Sequence, residues 1–267
     1  MKLFQTALVF LALSGVAQAH DSWLQPKSFQ SAPGARLPVT FFVGHHGERR
    51  SANLMVRPKW LLSMRSSGPG GSKELLKQRT FNPTAGILFA RPGTYVISLD
   101  TGDFKNQMGA KEFAEYLDEE GLAQAEKHWR QAPIAGREVK ESYRRHAKSI
   151  VIAGSGAAAL AGPVTRRLGQ RLEIVPALNP YRLRAGERMS ATVWFRDRPL
   201  AGAEVHVHSM DRPREEPVKL LSDANGRVGF AIPARGHWMM NVVWSEPTTS
   251  ARADYQTSFS SMTFAVH

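Results

Sequence analysis

Nine histidines carry most of the chemistry open to this 267-residue chain. There is no cysteine, so zinc–thiolate, iron–sulfur and cysteine-nucleophile sites are excluded. A metal would have to sit on histidine, carboxylate, methionine or backbone groups. The first histidine stands in "VAQAHDSWLQP". Lys2, the apolar stretch 3–16 and the small-x-small triplet Ala17-Gln18-Ala19 read as a cleavable secretory signal over residues 1–19. Cleavage there makes His20 the first residue of a periplasmic protein. A leading histidine is a chelate in itself, because its α-amine and ring Nδ1 close one ring around a metal. The amine loses its proton near about pH 8 and the imidazole near about 6.5. A metal displaces both at neutral pH. One further imidazole completes a three-nitrogen histidine brace, a donor set that favours Cu(II) or Ni(II).

Seven further histidines fall in recognisable settings. "GHHGE" offers His45, His46 and Glu48 where a strand opens into a glycine-bounded turn. Adjacent strand residues point to opposite faces, so only one of that pair easily shares a site with His20. "EVHVHSM" puts His206 and His208 on one face of a strand and Val205 and Val207 on the other. That face reads either as a two-imidazole site or, preferably, as the outer side of a half-buried strand. His237 opens a further strand beside Trp238, while His128 and His146 fall in segments that read as helical. No nucleophile elbow, phosphate loop or H-E-x-x-H motif occurs. Paired Met239 and Met240 read as core packing, and Glu119-Glu120 as a solvated helix face.

These residues need a scaffold, and its pattern is mainly β. "LPVTFFV" is a strand, "SSGPGGS" a flexible loop, and "GILFARPGTYVISLD" two strands joined at Arg91-Pro92-Gly93. The segment "NLMVRPKWLLSM" suggests a strand pair limited by Pro58. The composition changes near Phe104. Residues 109–130 read as one helix with Phe113, Leu117 and Leu122 on its apolar face. Residues 138–150 read as a second, with Val139, Tyr143, Ala147 and Ile150 as its stripe. "GSGAAALAGP" follows as a connector. From Gln170 onward come "RLEIVP", "RMSATVWF", "AEVHVHSM", "GRVGFAIP", "HWMMNVVW" and "SFSSMTFAV", short strands with a hairpin signal at Asp223-Ala224-Asn225-Gly226. The expected architecture is an N-terminal β domain over 20–105, a helical insertion and connector over 106–168, and an immunoglobulin-like or prealbumin-like β-sandwich over 169–267. No apolar run after the signal approaches a membrane span.

Lys and Arg number 35 against 23 Asp and Glu, a formal charge of +12. In a cytoplasmic chain that would raise nucleic acid as a partner. Export makes a basic, soluble surface facing anionic envelope polymers the better reading, with no nucleic-acid partner.

The order of "AHDSWLQP", "VGHHGE", "PGTYVISLD" and "YRRHAKSIV", followed by "LEIVPALNPYRLRAGERM", "RPLAGAEV", "SDANGRVGF" and "GHWMMNVVW", resembles the exported family called domain of unknown function 4198. The resemblance spans nearly the whole chain after the signal. It implies an N-terminal β part, a C-terminal immunoglobulin-like part and metal handling, since members are often labelled periplasmic components of cobalt or nickel uptake systems. It also implies a leading histidine, here His20, and a Gly-His pair, here Gly44-His45. A histidine common in the last third of family members is replaced by "VVW", leaving His237 as its substitute.

The expected function is therefore non-enzymatic binding of a divalent transition metal, Ni, Co or Cu, for uptake or homeostasis. The ligands would be His20, His45 or His46, and His237, and the partner an inner-membrane metal transporter. Two alternatives stand beside it. One is a β-sandwich module for carbohydrate or protein, which needs an exposed aromatic patch. The other is a copper-dependent oxidase of histidine-brace type, which needs an open coordination position and redox turnover.

Overall fold

A computed structural model describes residues 21–44, 58–76 and 84–267. The signal segment, His20 and the "HHGE" turn lie outside the described residues. The chain opens with β1 (Asp21–Pro26), β2 (Gln30–Ser31) and β3 (Arg36–Gly44). A 3-10 turn at Pro58–Trp60 leads to β4 (Leu61–Gly68), β5 (Gly71–Glu74), β6 (Thr84–Leu88), β7 (Gly93–Thr101) and β8 (Phe104–Met108). Helices α1 (Ala110–Glu119) and α2 (Ala123–Gln131) follow, then β9 (Val139–Ala153) and the short α3 (Gly156–Ala159). The last part holds β10 (Leu172–Pro176), β11 (Arg188–Phe195), β12 (Arg198–Pro199), β13 (Glu204–Ser209), β14 (Val218–Leu221), β15 (Arg227–Ala231), β16 (Gly236–Pro247) and β17 (Tyr255–Val266). The protein is mainly β, as its sequence pattern indicates.

One large sheet organises everything else. Its order is β14-β13-β16-β17-β9-β7-β4-β5, with β2 and β8 also paired to β9. Strands from the early segment, 61–101, and from the late one, 204–266, thus meet in one sheet, joined where β17 runs parallel to β9. On one face, β10, β11, β12 and β15 form a second sheet that closes an immunoglobulin-like sandwich over Val205, Val207, Met240, Val242 and Phe264. On the opposite face sit two separate covers. The sheet β1-β3-β6 packs over Ile97, Leu99, Ala147 and Val151. Helices α1 and α2 pack Phe113, Leu117 and Trp129 against Val243, Tyr255 and Phe259.

Four local expectations change. Residues 138–150 are not a helix but most of β9, a 15-residue strand. Its stripe of Val139, Tyr143, Ala147 and Ile150 fits a helical period, yet the strand is covered on both faces and has lost the alternation that marks a half-buried strand. The helix expected over 109–130 is split in two at Gly121, whose φ of +63° ends α1. "SSGPGGS" is the tight β4–β5 hairpin rather than a flexible loop, with Ser67 opposite Ser72 and Gly68 opposite Gly71. The segment Asp223–Gly226 turns tightly but is not the expected hairpin, since the strands it joins do not pair: the Asp223 side chain accepts from Asn225 and Arg227 N–H, and Gly226 adopts φ +71°. It joins the two layers of the sandwich, because β14 pairs with β13 and β15 with β11.

A buried ion pair ties β9 to β10. Lys148 Nζ lies 2.5 Å from Glu173 Oε1 and donates at 3.0 Å to the Ile174 carbonyl. Both side chains are almost fully removed from water. Glu173 also accepts the backbone N–H groups of Leu168 (2.6 Å) and Gly169 (3.0 Å). Burial pulls the Lys148 ammonium below its usual pKa, and the Glu173 charge opposes that shift. Breaking one side of such a pair strands a buried charge at a cost of about 3–5 kcal/mol. Lys148→Met is expected to lose that much stability in urea denaturation, and Lys148→Met/Glu173→Gln to recover part of it.

Candidate functional site

The gap between the two covers is floored by polar residues of the central sheet. β1 can lie close on that sheet because β17 and β9 present Ser261, Thr263, Ala147 and Ser149 there, all small. Thr263 Oγ1 donates to the Leu24 carbonyl at 2.6 Å and fixes the strand in place. This lays the start of β1, Asp21, over β16, where its carboxylate accepts a hydrogen bond from Asn241 Nδ2. Asn241 is flanked in register by His206 of β13 and Ser261 of β17. Residues directly opposite in a ladder share a face, so His206, His208 and Glu204 line the same side as Asn241 and Asp21. Val205 and Val207 point the other way, into the sandwich core.

His206 and His208 differ from the solvent-facing reading of their strand. His208 is buried at 9% exposure, and its ring centroid lies 6.1 Å from that of His206. His206 Nε2 is 2.7 Å from Glu204 Oε1, and Lys219 Nζ reaches the same oxygen at 3.3 Å. Desolvation alone would raise the Glu204 carboxyl, but the His206 and Lys219 hydrogen bonds outweigh it and hold the pKa below the usual range. The sequence showed the alternation but not the β1 strand and helical turn that close over it.

The α1–α2 turn forms the far wall. A Cβ on Gly121 would come within 2.6 Å of Glu204 Oε1 and displace that carboxylate, while the positive φ of 63° favours glycine there. Next to it, Glu120 is half-buried rather than solvated. Burial, then the nearby charge of Asp21, pushes its pKa up to about 8, with Arg145 pulling the other way. Arg145 is itself buried, its guanidinium 4.5 Å from the Phe259 ring centroid and 5.2 Å from that of Tyr143. Desolvation lowers its pKa, opposed by Tyr143, Tyr116 and Asp21. The result is a polar cluster in which the carboxyls of Asp21 and Glu120 neighbour one buried cation, on the sheet face that carries two imidazoles.

The expected ligands fall in different places. His20, His45 and His46 lie outside the described residues. Asp21 and Gly44, the residues that adjoin His20 and His45, are directly paired in the β1–β3 ladder. His237 is elsewhere. It sits four residues along β16 from Asn241, roughly 13 Å at strand rise. There its Nδ1 is 2.7 Å from Asp211 Oδ1, its backbone N–H donates to Asp211 Oδ2, and its ring stacks on Phe29 at 4.8 Å. That is a histidine with its own structural partners. His128 Nδ1 contacts the Tyr255 hydroxyl at 2.9 Å. Among the described residues, no group of three or more His, Asp or Glu stands in metal-holding geometry, and no helix is long and apolar enough to cross a membrane.

Mainly β architecture, a clasped central sheet and a histidine-bearing cleft beside the first strand define the class of this protein. The chain belongs to the family described as "Domain of unknown function (DUF4198)", whose model matches residues 17–246. No curated protein matches it. Among solved structures, the D0–D1 domain of intimin is 11% identical, with 91% of this chain and 97% of that one covered, at a TM-score of 0.21. A tetra-tandem repeat from the extending region of a large adhesion protein is 9% identical, covering 92% of this chain and 49% of that one, also at 0.21. A Salmonella α2-macroglobulin mutant is 9% identical, over 92% of this chain and 15% of that one, again at 0.21.

The Glu120 shift has a measurable sign. Its folded pKa of about 8 lies above the ordinary 4.5, so the stabilisation is full below about pH 4.5 and is lost as pH rises through 8. The protein should therefore lose stability, on the order of a few kcal/mol at most, between pH 5 and about 9. Glu120→Gln should flatten that slope in denaturation curves taken across the range.

Proposed function

We propose that this protein binds a divalent transition metal, Ni(II), Co(II) or Cu(II), in the periplasm, and serves its uptake or homeostasis rather than a catalytic cycle. The ligands are the α-amine and imidazole of His20 with the imidazole of His45 or His46, and an inner-membrane metal transporter is the partner. The observation that carries this reading is the Asp21–Gly44 pairing at the rim of the imidazole-bearing cleft. His20 and His45 are each one peptide unit beyond those paired residues. The two histidines therefore adjoin, in sequence, two residues that face each other across the ladder.

His208 and His206 add to the case, because they place imidazole in the same cleft without using His237. Asp21 supplies negative charge one residue from the amine. Oxidation chemistry has no supporting contact beyond the leading histidine. The carbohydrate-module alternative lacks its required platform among the described residues. There Trp244 is buried in the core, Trp194 lies beneath the Arg167 guanidinium, and the exposed large hydrophobic residues are Leu62, Leu88, Val218 and Leu221.

The test is calorimetric titration of the exported protein with Cu(II) and Ni(II), alongside intact mass. One equivalent should bind to chain that starts at His20. An added N-terminal alanine or His20→Ala should weaken binding by at least about a hundredfold, the loss expected when a chelate ring is opened. His208→Ala should weaken it less, and His237→Ala should leave it unchanged. Equal binding by the alanine-extended chain would overturn the reading. Ascorbate-driven turnover of the copper form would turn it toward the oxidase.

A further inference from the structure

The other face of the central sheet holds a second polar site, remote in chemistry from the histidine cleft. A groove of about 400 Å³ opens between β4, β7, β9 and the chain entering β10. Its mouth is ringed by the guanidinium groups of Arg144, Arg171 and Arg196. Asp103 holds Arg144 in a bidentate pair, with Nη2 at 2.8 Å, and Glu246 holds Arg196, so the forks are fixed at the rim. Arg171 bonds Gln256 Oε1 at 2.7 Å. Its pKa is lowered first by burial and then by the charge of Arg196, which marks the cations as crowded.

Inside, His146 is buried at 3% exposure. Its Nδ1 is 2.6 Å from Asp100 Oδ1, and the Gln170 amide nitrogen donates to the same oxygen at 2.9 Å. That pairing fixes the amide and the imidazole plane. It leaves His146 Nε2, Gln170 Oε1 and Arg171 Nε with no hydrogen-bond partner. In the β9–β17 register, Ser260 pairs with His146 and Ser258 with Arg144. Both serine hydroxyls are buried and unpartnered as well. Buried polar groups in folded proteins are nearly always satisfied, so orphans gathered in one place call for an occupant. The groups here combine an acceptor (Gln170 Oε1), a donor (Arg171 Nε) and three that can act either way.

We infer that this groove binds a small polyhydroxylated carboxylate, of the sugar-acid class, with its hydroxyls toward His146 and Gln170 and its carboxylate toward Arg171 and Arg196. A simple anion would leave the Gln170 carbonyl unsatisfied, and a neutral sugar would leave Arg171 and Arg196 sharing the single carboxylate of Glu246. A groove of this volume lies within the range of small-molecule sites.

Calorimetry of the full chain with D-glucuronate and D-gluconate, in EDTA, tests this apart from any metal. D-glucose and acetate serve as the half-ligands. At least one sugar acid should bind about tenfold or more tightly than either half-ligand, the effect of roughly one charge-assisted hydrogen bond. Arg171→Gln should abolish that preference. Arg196→Gln, at the exposed rim, should keep the fold and weaken sugar-acid binding severalfold. No binding by either sugar acid up to about 10 mM, a Kd worth less than about 3 kcal/mol, would mean a chamber filled only by water and overturns the inference. Equal binding of acetate, or wild-type binding by both arginine variants, overturns it too.

Discussion

The buried pair of Lys148 and Glu173 holds the two layers of the sandwich in register. An unpaired charge at either position would be intolerable in that dry setting, so the geometry has little freedom. Glu173 also receives the backbone N–H groups of Leu168 and Gly169. Together these bonds decide where the chain lies just before β10. Gln170 and Arg171, the next two residues, are thereby set over His146, and the orphaned polar groups of the groove come together. On the reverse side of β9, Arg145 performs a comparable task under the helices, stacked against Tyr143 and Phe259. A single strand thus carries buried cations toward both faces, and the two polar sites are built back to back across it.

Much of the β architecture was legible because the late strands keep clear boundaries and regular turns. The failure at β9 is instructive. Strand recognition relies on alternation, and alternation needs one wet face. β9 has none: Ile150 enters the sandwich core while Ala147 and Val151 pack under the β1 sheet. Its charged residues imitate the solvated side of a helix, yet Glu141, Arg145 and Lys148 are all buried and partnered through folding. Local periodicity does not report partners that lie a hundred residues away.

The candidate cleft was legible in part for the same reason. His206 and His208 were visible as a same-face pair, but sequence spacing does not show that Asp21 of β1 reaches the adjacent Asn241 or that the turn at Gly121 meets Glu204. Asp21, Asn241 and Glu120 carried no signal as a group, since they come from three distant elements. His237 shows the reverse case. A histidine beside a tryptophan at a strand start looked available, and Asp211 with Phe29 already engages both its donor edge and its ring face.

The parallel pairing of β17 with β9 has a consequence for how the chain comes to be folded. Residues 255–263 fill the middle of the sheet against residues 141–149. Until β17 is synthesised, β16 and β9 each present an open edge and the sheet exists as two halves. Loop closure across that separation is slow, and the nascent chain gains little from early collapse. A polypeptide organised this way completes its central sheet only when its C-terminal strand is available. The cost is a period in which exposed strand edges must be kept from one another, a natural role for holding chaperones.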